Sequence, residues 1–239
     1  MSTFVFNLSD PDPALYSMTD GIVRPNRIAP IQEAIDLAEQ DVFWAARGKA
    51  IQGYAQVENS LCNLFAGLGD MERKTAIIIF FRIASTDSRT KIIEKLLRAK
   101  HGNKLNLFWN PLAKEIDKLG KKRNEIAHWL AAANIILDGK NIMHVGVMLV
   151  HPGSEDMGKG DNSQRLLTKE LIEYEQKCDE FVRLITMFNL ALNSSAQLED
   201  GLQTWLDIFQ QPLLYPLPES HPLKRSQQAH GIPPQSSQG

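Results

Sequence analysis

Two long stretches of the sequence repeat apolar residues at steps of three and four, the spacing that puts side chains on one face of an α-helix. The apolar positions are Tyr54, Val57, Leu61, Leu64 and Leu68 in the first stretch, and Leu171, Tyr174, Cys178, Phe181, Ile185, Phe188 and Leu192 in the second. Helices with one apolar face gain most of their stability when those faces bury each other. The chain is therefore predicted to be mainly α, with its helices in an antiparallel bundle. The alternative use of the second stripe is as the seam of a dimer.

Shorter helices are predicted between these two stretches. The run 76–84 is apolar at all but one position and predicts a central, buried helix. Asp87 or Ser88 is expected to cap the helix that follows. A non-helical connection is expected near 107–110, and Pro111 is expected to open the next helix.

After position 129 the pattern changes to short apolar runs of the kind that form strands. Residues 134–137 and 141–150 are separated by Asp138-Gly139-Lys140, a sequence typical of a tight hairpin turn. A small β-hairpin insert is therefore predicted at about 134–151.

The two ends of the chain differ from its middle. Residues 1–30 contain four prolines and no sustained period, so they are predicted to form an N-terminal arm. Prolines, serines and glutamines dominate after 210, which predicts a disordered tail over 211–239. The helical domain is expected to cover 31–210.

Composition and charge set the broad class. A chain of 239 residues, 43% of them apolar, can bury one good core, and its formal net charge of −2 gives no overall sign of nucleic-acid binding. Cys62 and Cys178 lie far apart in apolar helical segments, so we expect buried, reduced thiols. The longest wholly apolar run, 76–81, is too short to cross a bilayer, and the N-terminus lacks a basic signal region. We expect a cytoplasmic protein.

No cofactor or metal site is predicted. The histidines at 101, 144, 151, 221 and 230 show no metal-ligand spacing with cysteines or carboxylates. The sequence also lacks a GxSxG, an HExxH, a Walker A and a dinucleotide-binding pattern.

The segment 121–129, Lys-Lys-Arg-Asn-Glu-Ile-Ala-His-Trp, carries the candidate chemistry. Gly120 is expected to end the preceding helix, and Asn124 to cap a new one. In that helix Asn124 and His128 are four residues apart and share one face. Arg123 is expected to lie beside backbone N–H groups that have no partner of their own. A cation, free amides and an imidazole together suit a phosphate that must be held and then protonated or attacked.

The run from Arg123 to His128 has an arginine, then a polar residue, then three residues before the histidine, and it resembles the signature of the HEPN superfamily. These are all-helical domains found in many prokaryotic nucleases and in toxin–antitoxin or defence systems. The resemblance implies a HEPN-like helical domain over 31–210. It also implies a metal-independent endoribonuclease whose motifs from two protomers meet at a dimer cleft.

The chemistry of RNA assigns a role to each residue of the motif. RNA carries its own nucleophile, the 2′-hydroxyl, so the protein has to position it, move two protons and stabilise the charged transition state. His128 would be the general acid or base, Arg123 would hold the phosphate, and Asn124 would orient His128 or bind the phosphate. Expected partners are RNA, a second copy of the chain and a cognate antitoxin protein. The alternative is a catalytically inactive HEPN-like interaction module.

A basic stretch leads to the motif. The segment 82–123 contains twelve Lys or Arg and four Asp or Glu, a surplus of eight positive charges. Such a patch would attract a polyanion, although helices also expose lysines without binding one. The candidate RNA-binding residues are Lys91, Lys95, Arg98, Lys121 and Lys122. Glu58 is interpreted as a solvated polar residue, with a partnership to Arg123 or His128 as the alternative.

Overall fold

The computed structural model describes residues 2–7, 15–19, 22–26, 37–138, 141–152, 165–193 and 200–224. The helices there are α1 (Leu37–Leu68), α2 (Arg73–Phe80), α3 (Thr86–His101), α4 (Asn106–His128), α5 (Thr168–Asn193) and α6 (Asp200–Phe209). The strands are β1 (Ser2–Asn7), β2 (Leu15–Thr19), β3 (Ile22–Asn26), β4 (Leu130–Asp138), β5 (Asn141–Val150) and β6 (Arg165–Leu166). The described chain is thus mainly helical, as predicted, and has a four-stranded and a two-stranded antiparallel sheet. The bundle arrangement of the helices stays a prediction.

The chain forms two compact units. The first consists of residues 1–53 and 122–176, and the second of residues 54–121 and 177–239. Helices α1, α4 and α5 each contribute residues to both.

An antiparallel sheet in the order β1-β4-β5-β6 belongs to the first unit. Strands β4 and β5 form the predicted hairpin, with Asp138 paired to Asn141. The predicted turn residues Gly139 and Lys140 lie outside the described residues. The hairpin begins earlier than predicted, because β4 starts at Leu130, two residues after α4 ends. Ala132, Met148 and Val150 form a buried cluster in it.

The N-terminal segment contains strands where the sequence predicted an arm without regular structure. Strand β1 pairs with β4 from Ser2 to Asn7, and β2 and β3 pair with each other. The prediction was wrong because it took the four prolines of this segment as evidence against strands. Pro25 lies within β3 itself, whose only partner among the described residues is β2, and an edge strand tolerates proline because it need not donate on its outer side.

The core of the second unit contains an aromatic cluster. The ring of Phe108 lies 4.7 Å from that of Phe209 and 4.9 Å from that of Phe188, and all three side chains are fully buried. Trp109 is buried beside them. The predicted non-helical connection at 107–110 is therefore wrong, because these residues already belong to α4 and Pro111 lies inside it.

Helix α2 is less buried than its apolar sequence predicted. Ala76 and Phe80 are buried, but Ile78 is 68% exposed, and Ile79 and Phe81 are each 44% exposed. The prediction of a central buried helix is thus wrong for its outer side. The next helix, α3, is capped by Ser85, whose hydroxyl accepts a hydrogen bond from the Ser88 N–H at 3.1 Å, and not by Asp87 or Ser88.

Gly120 does not end a helix, because α4 continues through it to His128. A β-carbon at this position would lie 2.8 Å from the Tyr54 hydroxyl oxygen and 3.2 Å from Thr86 Oγ1. These two hydroxyl groups are hydrogen-bonded to each other at 2.9 Å. The glycine therefore serves close packing of α4 and not chain reversal.

The C-terminal segment 211–224 packs where the sequence predicted disorder. Leu213, Leu217 and Leu223 are buried, and Lys224 Nζ lies 3.0 Å from a Glu180 carboxylate oxygen. The leucines are few among prolines and polar residues, so the composition of the segment did not predict that they are buried. Residues 225–239 of the predicted tail lie outside the described residues. Cys62 and Cys178 are both buried thiols, as predicted.

The role of Gly120 can be tested by Gly120→Ala. Alanine in place of glycine usually stabilises a helix interior by about 1 kcal/mol. A β-carbon added at Gly48 in α1 would meet no other atom within 4 Å, so Gly48→Ala should show that gain. Gly120→Ala should instead lose about 1–3 kcal/mol, since its β-carbon displaces the Tyr54 hydroxyl. Urea unfolding of the two variants measures this, and an equal gain in both would show that close packing is not required.

His221 predicts a pH dependence of stability. Burial lowers the pKa of its imidazole, against a smaller opposite effect of Glu180, and its Nδ1 accepts a hydrogen bond from the Leu223 N–H at 3.3 Å. The unfolded chain then binds more protons than the folded chain just below the ordinary histidine pKa of about 6.5. The contribution of His221 to the free energy of unfolding is complete above that pH. It is lost as the pH falls through the lowered pKa of the folded state.

His221→Asn keeps an acceptor near the position of Nδ1 and cannot titrate. Between pH 7.5 and pH 5, its free energy of unfolding should therefore fall by less than that of the wild type. Urea unfolding at the two pH values measures this difference. Parallel pH profiles for the two proteins would contradict the assignment.

Candidate functional site

The last turns of α4 carry the motif. Ile126 is fully buried and Trp129 nearly so, and these two anchors fix which side of the helix turns outward. Asn124 and His128 are exposed and lie four residues apart on the outward side. Arg123 is half-buried, and its Nη1 donates to Asn124 Oδ1 at 3.2 Å. The structure thus groups a guanidinium, an amide and an imidazole within the last six residues of one helix.

The motif lies at the C-terminal end of its helix and not at an N-terminus. Asn124 is an interior residue of α4, so the predicted N-cap and the free amides beside Arg123 are wrong. A helix C-terminus presents carbonyl oxygens and a partial negative charge, which disfavours a phosphate. Any attraction for an anion must therefore come from side chains.

Arg47 of α1 compensates those carbonyls. Its Nε donates to the Ile126 oxygen at 3.0 Å, and its Nη2 donates to the oxygens of Ala127 and Trp129 at 3.1 and 3.2 Å. Burial lowers the pKa of Arg47, but the ordinary value is so high that the group stays charged. The three bonds fix the backbone on both sides of His128 and place a positive charge at the negative end of the helix.

Sequence reasoning missed Arg47, although one signal was present. Helices commonly end at a glycine that lets the last carbonyls find partners, and the residues after His128 are Trp129 and Leu130. A helix end without such a glycine needs another donor, and only the fold shows that a residue 79 positions away supplies it.

Trp129 contacts two further polar groups beside the motif. Lys122 Nζ lies 5.7 Å from the centre of its ring, and the His151 ring meets it edge to face at 5.6 Å. Lys122 also forms an ion pair with Glu125 at 2.8 Å. His151 follows β5, so the hairpin brings a second imidazole to the residue next to His128.

The candidate RNA-binding lysines and arginines are mostly engaged in ion pairs within their own helices. These pairs are Lys91–Asp87 at 2.7 Å, Arg98–Glu94 at 2.8 Å, Lys121–Asp117 at 2.8 Å and Lys122–Glu125 at 2.8 Å. Only Lys95 and Arg123 of the predicted cations have no carboxylate partner among the described residues. Exposed pairs of this kind are worth less than about 1 kcal/mol, so a phosphate can compete for the cations.

The predicted cations are divided between the units. Lys91, Lys95, Arg98 and Lys121 belong to the second unit, whereas Lys122 belongs to the first, together with the motif. Glu58 forms an ion pair with Arg89 within the second unit, so it is not the solvated polar residue that the sequence predicted.

Two absences hold for the part of the chain that the structure describes. No group of three or more histidine, cysteine or acidic side chains there is placed to hold a metal ion. No helix there is both long and apolar enough to cross a membrane.

Comparison with known proteins finds no matching family model, no matching curated protein and no matching solved structure. The resemblance to the HEPN superfamily therefore rests on the motif and on the helical character of the chain.

The cap formed by Arg47 can be tested by Arg47→Met, which keeps the length of the side chain and removes its donors. The variant leaves three carbonyl oxygens without their charged donor, and hydrogen bonds from water make up only part of the lost stabilisation. The free energy of unfolding should therefore fall by about 1–3 kcal/mol. Lys49→Met is the matched control, because Lys49 is exposed on the same helix. Urea unfolding measures both, and a loss in Arg47→Met no greater than in Lys49→Met would contradict the cap.

Proposed function

We propose that the protein is an endoribonuclease that cleaves RNA at Arg123, Asn124 and His128 without a metal ion. The observation that supports this most directly is the outward-facing Arg123–Asn124 pair, with its 3.2 Å hydrogen bond, on the same last turns of α4 as the exposed His128. The three side chains are not used to pack the core. They are also not neutralised by any carboxylate of the described residues.

Each group has a defined task in the reaction. The 2′-hydroxyl of RNA attacks the adjacent phosphorus as His128 removes its proton, and the bond to the 5′-oxygen breaks as that oxygen gains a proton. The products are a 2′,3′-cyclic phosphate and a 5′-hydroxyl. Arg123 stabilises the negative charge of the transition state, and Asn124 keeps the guanidinium oriented through their hydrogen bond.

The reaction needs one proton acceptor and one proton donor, and a single imidazole cannot be both in the same step. A homodimer in which two copies of the motif face one cleft supplies two imidazoles and two guanidinium groups. We propose this arrangement, with RNA as the substrate and a cognate antitoxin protein as a further partner. Light scattering should give the mass of a dimer, and a strictly monomeric protein would contradict the shared cleft.

The enzyme proposal is tested by cleavage of a labelled single-stranded RNA in the presence of EDTA. His128→Ala should lower the rate by about 10²–10⁴-fold, because it removes the proton transfer. Arg123→Ala should lower the rate by about 10²–10³-fold, because it removes the group that stabilises the transition-state charge. Lys114→Ala is the control, since Lys114 is an exposed cation on the same helix outside the motif.

Three results would overturn the proposal in different ways. Cleavage that persists in both motif variants would place the activity elsewhere. Cleavage that EDTA abolishes would contradict the metal-independent reaction. RNA binding by the wild type without any cleavage would instead favour the catalytically inactive interaction module.

A further inference from the structure

The outer side of α2 is an apolar surface in the second unit that the proposed reaction does not use. Ile78 is 68% exposed, and Ile79 and Phe81 are 44% exposed each. Single exposed apolar residues are common, but these three lie within four consecutive positions of the chain. We refer to Ile78, Ile79 and Phe81 as the α2 patch.

The aromatic member of the α2 patch is held in place from behind. The Arg89 guanidinium lies 5.4 Å from the centre of the Phe81 ring and 5.2 Å from that of the buried Phe80. Arg89 itself donates to the Ile83 oxygen at 3.0 Å and forms an ion pair with Glu58. Phe81 is therefore exposed and already ordered, so a partner that binds it loses little conformational entropy.

Two cations, Lys74 and Arg82, lie beside the α2 patch, each four residues from Ile78 along the chain. Arg73, Lys74 and Arg82 are exposed, and none forms an ion pair with a carboxylate of the described residues. Arg73 instead donates to the side-chain oxygens of Asn63 and Asn59, both at 3.0 Å. Glu72 is the single acidic residue between 72 and 82. The patch is thus an apolar surface with positive charges beside it that are unpaired among the described residues.

We propose that the α2 patch is a docking surface for an acidic amphipathic helix of a partner protein. Thr75, Ile78 and Ile79 are exposed and follow the i, i+3, i+4 spacing of a helix face, which offers a ridge for a second helix to pack against. Arg82 is exposed in the turn that follows α2. The isoleucines and Phe81 fit the apolar stripe of such a helix. Carboxylates beside that stripe would pair with Lys74 and Arg82.

Charge and chemistry favour this occupant over three others. Two copies of the patch facing each other would bring Lys74 and Arg82 against the same cations, with only Glu72 to offset them. RNA bases stack on aromatic side chains, and Phe81 is the single aromatic residue of the α2 patch. A membrane surface usually binds a longer amphipathic helix than the eight residues of α2.

Fluorescence anisotropy of the full chain with two labelled 18-residue helical peptides tests the proposal. One peptide carries a leucine stripe flanked by glutamates, and the other carries the same stripe flanked by lysines. The acidic peptide should bind, and its affinity should fall about tenfold or more for Ile78→Asn and for the double variant Lys74→Glu/Arg82→Glu. Leu107→Asn is the control, because Leu107 is 57% exposed on α4, and it should leave the affinity within about twofold.

Thermal unfolding should show that the variants are folded, since the replaced side chains are exposed. Equal binding of the acidic and basic peptides, or acidic-peptide binding that Ile78→Asn leaves unchanged, would overturn the proposal. Binding to phosphatidylserine vesicles that Ile78→Asn abolishes, without binding of the acidic peptide, would replace the protein partner by a membrane. A dimer that Ile78→Asn converts to a monomer would replace it by a second copy of the chain.

Discussion

Gly120 lets helix α4 pass the hydrogen-bonded hydroxyl groups of Tyr54 and Thr86 and continue to His128. Because the helix is not interrupted there, one element carries both the buried aromatic residues near its start and the motif at its end. Its continuity also fixes the polarity of the site. A helix that began at Asn124 would offer amides to a phosphate, whereas the helix that ends at His128 offers carbonyl oxygens.

The electrostatics of the motif follow from that polarity. Arg47 donates to three of the carbonyl oxygens around His128, which removes their need for other donors and offsets their negative charge. Arg123 is then the cation of the motif that no described carboxylate neutralises. Most other candidate cations are held in exposed pairs along their own helices, which are weak enough for an anion to displace. Anion binding at this site would therefore depend on side chains alone, and Arg123 would contribute most.

The proposed site exposes polar side chains, whereas the α2 patch exposes apolar ones. At the motif, polar groups are exposed at the end of a helix whose other side is anchored by Ile126 and Trp129. At the α2 patch, apolar side chains are exposed beside the buried Phe80, and Arg89 holds the Phe81 ring. The first arrangement suits a small charged group such as a phosphate, and the second suits a protein surface.

The sequence by itself determined the helical character of the chain, the β4–β5 hairpin and the shared helix face of Asn124 and His128. These features follow from local periodicity and turn chemistry, which depend on residues close together in the chain. Only the tertiary structure decided that α4 runs through Gly120, that Arg47 caps it, that β1 joins the sheet and that leucines of the C-terminal segment are buried. Each of these features depends on a contact between residues distant in sequence. Such a contact produces no periodic pattern of residues along the chain.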